Sequence, residues 1–143
     1  MNKWDSRFFE MAKVVASWSK DPSTQVGAVI VDDKNRLLSI GYNGFPRGID
    51  DSSERYEDRE LKYKIVVHAE ENAILNATTS LEGSTLYLTP LACCSNCVSR
   101  ILQAGIKCVK ILENAEKMKD RDYSLSFEML REAGVEVQVF QIE

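Results

Sequence analysis

The sequence predicts a three-layer α/β domain, and three observations predict it. After one opening helix the segments read β-β-α-β-α-β-α-β; each segment's apolar residues recur at the period of its own element; and glycine, proline and aspartate mark the turns between them. A length of 143 residues with 44% hydrophobic content suits a single core, so residues 1–143 are expected to form one domain.

The elements follow in order. Trp4, Phe8, Met11, Ala12, Val15 and Ala16 recur at spacings of three and four, which predicts a helix from about Asp5 to Lys20 with one buried stripe and Asp5 as its N-cap. After Asp21-Pro22-Ser23, the apolar run Gly27 to Val31 and the run Arg36 to Tyr42 flank Asp32 to Asn35, the pattern of a hairpin. Asn43 to about Glu60 holds Gly44, Pro46, Gly48 and many charges, and reads as a long loop beside the site. Helix then alternates with strand: about Ala69 to Ala77, Thr85 to Leu88, Cys94 to Ala104, and Cys108 to Leu112. The charged stretch Glu113 to Arg121 is expected to be flexible. A helix from Ser124 to Ala133, stopped by Gly134, and a strand from Val135 to Ile142 complete the chain.

Lysine and arginine number 18 against 22 aspartate and glutamate, a formal net charge of −4, so there is no general basic field for a nucleic-acid polymer. A free small molecule is the expected partner. No run approaches the roughly 20 apolar residues of a membrane span, and Met1 to Asp5 leads into an amphipathic pattern rather than a signal peptide. The expected location is cytoplasmic, without a membrane partner. Of four cysteines, Cys93, Cys94 and Cys97 crowd into five positions, a spacing that in a reducing compartment holds metal more often than disulfides.

The chemistry concentrates in two short stretches, His68-Ala69-Glu70 and Cys94-Ser95-Asn96-Cys97, each at the start of an expected helix. Cysteines three apart at a helix start can face one ion, and the helix dipole favours their thiolates. One imidazole and two thiolates supply the three ligands of a catalytic zinc, whose fourth position is left to water. His68 is the only histidine, so a closed structural site would need Cys93, Cys108 or Glu70 instead. Zinc lowers the pKa of its bound water from 15.7 toward about 7. Glu70, two positions from His68, can reach that water and carry its proton to the ring and the leaving amine. A His-x-Glu motif paired with Cys-x-x-Cys is the arrangement of zinc base deaminases, in which attack at C4 of cytosine or C6 of adenine expels ammonia. Taken singly, these residues have plainer readings: His68 as a helix cap, Glu70 as a first-turn acid, the cysteines as core filling. Their joint order favours catalysis.

Beyond those motifs, Ser19 to Ala28 (SKDPSTQVGA), Gly41 to Gly48 (GYNGFPRG), Lys62-Tyr63-Lys64, His68 to Leu75 (HAEENAIL), Leu81-Glu82-Gly83 and Gln103 to Ile106 (QAGI) resemble the deoxycytidylate (dCMP) deaminases of the cytidine and deoxycytidylate deaminase superfamily. The resemblance covers most of the chain. It implies an α/β/α cytidine-deaminase-like fold around a central mixed five-stranded sheet. It implies His68, Cys94 and Cys97 as ligands of Zn2+, Glu70 as proton shuttle, the Ala69 amide as a partner for the base and Asn43 as a sugar-hydroxyl contact. Ser23 and Thr24 fall where the family places small polar residues near the phosphate, with Lys20 and Arg47 as weaker candidates. Conversion of dCMP to deoxyuridine monophosphate (dUMP) is the implied reaction, homo-oligomers, often hexamers, the implied assembly, and dCTP and dTTP the implied effectors.

Two features depart from the family pattern. Ala92-Cys93 stands before Cys94 where the superfamily usually has proline, and Asn76 to Thr79 lacks the arginine that relatives often carry there. The phosphate anchor is left open. Small residues at Pro90-Leu91-Ala92 point to a roomier pocket that accepts a C5-modified dCMP. The alternatives are another cytosine or adenine nucleoside or nucleotide, a base within RNA, and a non-catalytic nucleotide-binding module with structural zinc; Glu70 argues against the last, and the acidic balance against RNA.

Overall fold

A computed structural model describes residues 1–142. Helix α1 (Lys3–Ala16) precedes the hairpin of β1 (Gly27–Val31) and β2 (Leu37–Tyr42). Short helices α2 (Ser53–Glu57) and α3 (Arg59–Ile65) lead to α4 (Ala69–Asn76), β3 (Thr85–Thr89), α5 (Ser95–Gln103) and β4 (Cys108–Glu113). The chain closes with α6 (Ala115–Met118), α7 (Ser124–Glu132) and β5 (Glu136–Gln141).

The five strands form one sheet in the order β2-β1-β3-β4-β5. β1 runs antiparallel to both β2 and β3, whereas β3, β4 and β5 are parallel, so the sheet is mixed. Side-chain alternation along β1 divides the core. Val29 and Val31 face α1, meeting Phe8, Phe9 and Ala12, while Ala28 and Ile30 face the layer of α4, α5 and α7, with Ala73, Val98, Ile101 and Leu130. This is the expected three-layer arrangement.

Four local expectations are corrected. Asp5 is not the N-cap of α1: Asn2 is, and Asp5 is the third helical residue of a capping box, its amide donating to Asn2 Oδ1 at 2.8 Å. The helix also ends at Ala16 rather than Lys20, and the chain turns through Ser17 to Ser19. The segment from Asn43 to Glu60 is not wholly loop; α2 and the start of α3 occupy part of it. Each spans under two turns, and α3 buries no side chain completely, so neither writes an apolar stripe into the sequence. Between Glu113 and Arg121 the chain forms α6, whose cap Asn114 accepts from the amides of Glu116 and Lys117.

Two glycines set how closely the layers approach the hairpin. A Cβ at Gly27 would fall on the Ala12 carbonyl of α1, and one at Gly41 on the Ala73 amide of α4. Only glycine permits those backbones to touch there. Gly41 thereby fixes the depth of α4 and of the residues at its start.

Candidate active site

The extended conformations of His68 (ψ 158°) and Cys94 (ψ 164°) place each as an N-cap, and both caps line one pocket. The ring of His68 reaches Cys97 Sγ at 3.1 Å and Cys94 Sγ at 3.4 Å, and the two sulfurs lie 3.3 Å apart. All three donor atoms lie within 4.8 Å of one another, which makes a single cluster able to hold a metal ion. Among the described residues Cys93, Cys108 and Glu70 do not join that cluster. Two soft thiolates and an imidazole fit zinc, and three donors match a catalytic rather than a closed structural site.

The electrostatics of the cluster are mutual. The hydrogen bond with Cys97 chiefly, then that with His68, holds the Cys94 thiol down at about 4 against the opposing effect of burial. Cys97 is correspondingly pushed up, by that same bond and by burial. Cys94 in turn raises His68 to about 8, against burial. Glu70 sits one residue into α4 and is 3% exposed. Burial pushes its carboxyl up to about 7, the nearby His68 charge only partly opposing this.

Glu70 and Ala69 line the same pocket as His68 and Cys94. The Ala69 amide belongs to the first turn of α4, where helix geometry leaves N–H groups without intrahelical partners. Leu91, Ala92 and Tyr123 supply an apolar wall, and the cavity encloses about 170 Å3.

Asn43 lines the pocket too, and it is not in a left-handed turn; Asn35 is the one non-glycine residue with positive φ among the described residues. Its side chain is fixed on both sides. Oδ1 accepts from the Val26 amide at 2.9 Å, and Nδ2 donates to the Thr24 carbonyl at 2.9 Å and to Asp21 Oδ2 at 3.3 Å. Both amide hydrogens are therefore spent, leaving one lone pair of Oδ1 for a ligand.

Ser23 and Thr24 also reach the pocket, but their amides donate to Asp21 Oδ1, at 2.9 and 3.3 Å. The Ser23 hydroxyl donates to the same oxygen. Lys20 does not line this pocket and pairs with Asp51 at 3.0 Å; Arg47 does not line it either.

Several pocket residues escaped the sequence reading. Asp21 and Lys62 form a shielded ion pair of 2.8 Å, and Arg59, Arg121 and Tyr123 line the pocket as well. The Lys62-Tyr63-Lys64 stretch carried a signal in its resemblance, though not a role. Arg121 and Tyr123 precede α7, and nothing in their spacing shows that the α6–α7 connection returns to the site.

Residues 2–113 match the model of the cytidine and deoxycytidylate deaminase zinc-binding region. An uncharacterized deaminase of the luxG 3′ region in Aliivibrio fischeri is 48% identical over 96% of this chain and 93% of its own length. Human deoxycytidylate deaminase is 38% identical over 96% of this chain and 80% of its own. The crystal structure of dCMP deaminase from cyanophage S-TIM5 in apo form superposes with a TM-score of 0.76 at 26% identity, covering 98% of this chain and 100% of the phage chain. The match to the family model, together with the extent of these two sequence relatives, places the chain in the cytidine and deoxycytidylate deaminase family.

Proposed function

We propose that residues 1–143 form one deaminase domain that converts dCMP and water to dUMP and ammonia. The observation that carries this reading is the position of Glu70: a buried carboxyl opening on the same pocket as His68 and Cys94, which cluster with the buried Cys97. These three residues would hold zinc, which when bound in a site with one open position makes water a nucleophile at neutral pH.

Glu70 then handles the protons. It takes one proton from the attacking water as the C4–oxygen bond forms and passes it to the ring nitrogen, then takes the second from the new C4 hydroxyl and gives it to the amine, so that ammonia leaves as the C4–nitrogen bond breaks and the C4 carbonyl forms. A buried carboxyl facing the pocket can both accept and give back a proton there. The Ala69 amide serves as a partner for the base, and the free lone pair of Asn43 Oδ1 accepts from a sugar hydroxyl. The wall of Leu91 and Ala92 admits cytosine and meets its C5 side.

The deciding experiment incubates zinc-loaded protein with cytidine, CMP, dCMP, dCTP, dAMP and 5-substituted dCMP, following ammonia release and product mass. Preferential turnover of dCMP is expected, with Glu70→Gln retaining zinc while turnover falls by roughly 10²–10⁴. Persistent turnover in that variant would remove Glu70 from the mechanism. Failure of every substrate would leave a non-catalytic nucleotide-binding module. The same reading includes a homo-oligomer, hexameric by resemblance, and triphosphate effectors; native mass spectrometry with and without dCTP and dTTP tests both.

A further inference from the structure

Both tryptophans of the chain are exposed, and both lie on one side of α1. Trp4 keeps 37% of its surface in solvent, Trp18 keeps 52%, and Val14 between them keeps 55%. Met11, half-buried, completes the row. The helix thus carries two apolar stripes. Phe8, Phe9 and Ala12 fill the core against the sheet, whereas Trp4, Met11, Val14 and Trp18 form a second row, with Arg7 between the first two, its guanidinium 4.8 Å from the Trp4 ring centre. Trp18 meets Tyr42 of the edge strand β2 edge-on, ring centres 6.2 Å apart, and Tyr42 is itself exposed. Single exposed apolar residues are ordinary, but a contiguous row of them marks a contact surface, and aromatics, methionine and arginine are the residues enriched at such surfaces.

The symmetry of the row says what covers it. Trp4 and Trp18 each stand seven residues from Met11, and Ser17 keeps helical φ and ψ, so Trp18 continues the path of the helix. Seven residues fall about 20° short of two turns, so the tryptophans flank the direction of Met11 closely, one on either side. A second α1 laid antiparallel on the first, with the two-fold axis at Met11, sets Met11 on Met11 and each Trp4 on the other copy's Trp18. One patch then serves both sides, as an isologous interface requires.

The charges agree with that direction. Glu10 and Lys13 are exposed, and neither is ion-paired among the described residues. They stand one residue before Met11 and two after it, so antiparallel packing brings Glu10 of one copy within about 1.5 Å, along the axis, of the level of Lys13 of the other. Arg7 reaches the last turn of the other copy's α1, the negative end of its dipole. Parallel packing would instead oppose Arg7 to Arg7 and Glu10 to Glu10.

We propose that the row Trp4, Met11, Val14 and Trp18, with Tyr42 beside it, is a self-association surface on which a second copy of this chain packs its own α1 antiparallel about a two-fold axis at Met11. The joint does not depend on the deamination chemistry; it gives the homo-oligomer of that reading one defined contact.

Sedimentation velocity of the zinc-loaded protein over a concentration series tests it. Wild type should assemble, and the double variant Trp4→Glu, Trp18→Glu should weaken assembly by about a hundredfold or more, since two aromatic anchors are lost and two carboxylates enter the contact. Cysteine pairing reads the direction. A short bismaleimide should join Met11→Cys to itself, and Trp4→Cys to Trp18→Cys only when those two variants are mixed, with wild type as the blank for the native thiols. Circular dichroism checks that each variant is folded.

Wild type that stays monomeric throughout the series overturns both the joint and the homo-oligomer. Assembly indifferent to the two glutamates, in folded protein, overturns the joint alone and assigns the homo-oligomer to another surface. Trp4→Cys joining itself rather than Trp18→Cys overturns the antiparallel order. Turnover of dCMP enters none of these outcomes, so the joint and the deaminase reading fail separately.

Discussion

Glu71 and Arg100 tie together the two helices that begin at His68 and Cys94, members of the cluster able to hold a metal ion. Arg100 Nε of α5 lies 2.9 Å from Glu71 Oε2 of α4, while Glu71 Oε1 accepts from the His68 amide at 3.2 Å. A half-exposed ion pair contributes at most about 1 kcal/mol to stability, so its main effect should be on the metal. Groups that orient ligands typically govern affinity by 10–100-fold. Glu71→Ala should lower zinc affinity by roughly tenfold with little change in the denaturant midpoint, and Arg100→Ala should do so less. Competition with a chromogenic chelator measures both; unchanged affinity in Glu71→Ala would show that His68 is held by α4 alone.

Metal removal should be felt by the whole fold, because His68 and the cysteines come from segments 26 residues apart in sequence. A ligand that binds only the folded state stabilises it by about 4 kcal/mol at a thousandfold excess over its dissociation constant. Chelation should therefore lower the melting temperature by several degrees, and zinc should restore it at one equivalent per chain. His68→Ala should melt like the metal-free protein and fail to respond to zinc. A response retained in that variant would locate the metal elsewhere.

On the face of the sheet opposite the site, Asp5 is buried and receives hydrogen bonds from Tyr87 at 2.7 Å and Lys110 at 2.8 Å. Burial alone would raise its pKa; the bonds from Lys110, Tyr87 and the Asn2 amide outweigh burial and hold the carboxyl below its ordinary value. A depressed folded pKa means stability that is complete above the ordinary value near 4 and is lost as pH falls through the folded one. The urea midpoint should thus decline below about pH 4. Asp5→Ala should cost roughly 3 kcal/mol at pH 7, since it leaves Lys110 shielded and unpaired, and should flatten that acid decline. A variant whose decline matches wild type would assign it to other carboxylates.

The strands, the long helices and the metal cluster were legible because each writes a period or a spacing that needs no partner. Val29 and Val31 alternate with Ala28 and Ile30 whatever packs on them, and His68-x-Glu70 and Cys94-x-x-Cys97 sit at helix starts that their own flanks announce. What was not legible is what depends on return of the chain. Arg121 and Tyr123 reach the pocket only because the connection after β4 folds back, and Lys62 meets Asp21 across 41 positions. Asp5 was misplaced for a smaller reason: Asn2 and Asp5 are both good caps, and only the reciprocal bonds between them distinguish N-cap from third residue.

The two contact glycines separate stability from function. Gly41→Ala drives a methyl group into the backbone of α4, and Gly27→Ala drives one into α1, so each should overpack its layer by about 1–3 kcal/mol or more. The consequences for the site differ. Shifting α4 moves His68, Ala69 and Glu70 relative to Cys94 and Cys97, and a displacement of about 1 Å at reacting groups can cost on the order of 10²-fold in rate. Shifting α1 moves a layer on the far face of the sheet. Both variants should therefore melt lower than wild type, but at a temperature where each is fully folded Gly27→Ala should keep most of its turnover of dCMP and its zinc affinity, while Gly41→Ala loses both. Equal losses in the two variants would mean that the sheet transmits the displacement, and that the site depends on the packing of both layers.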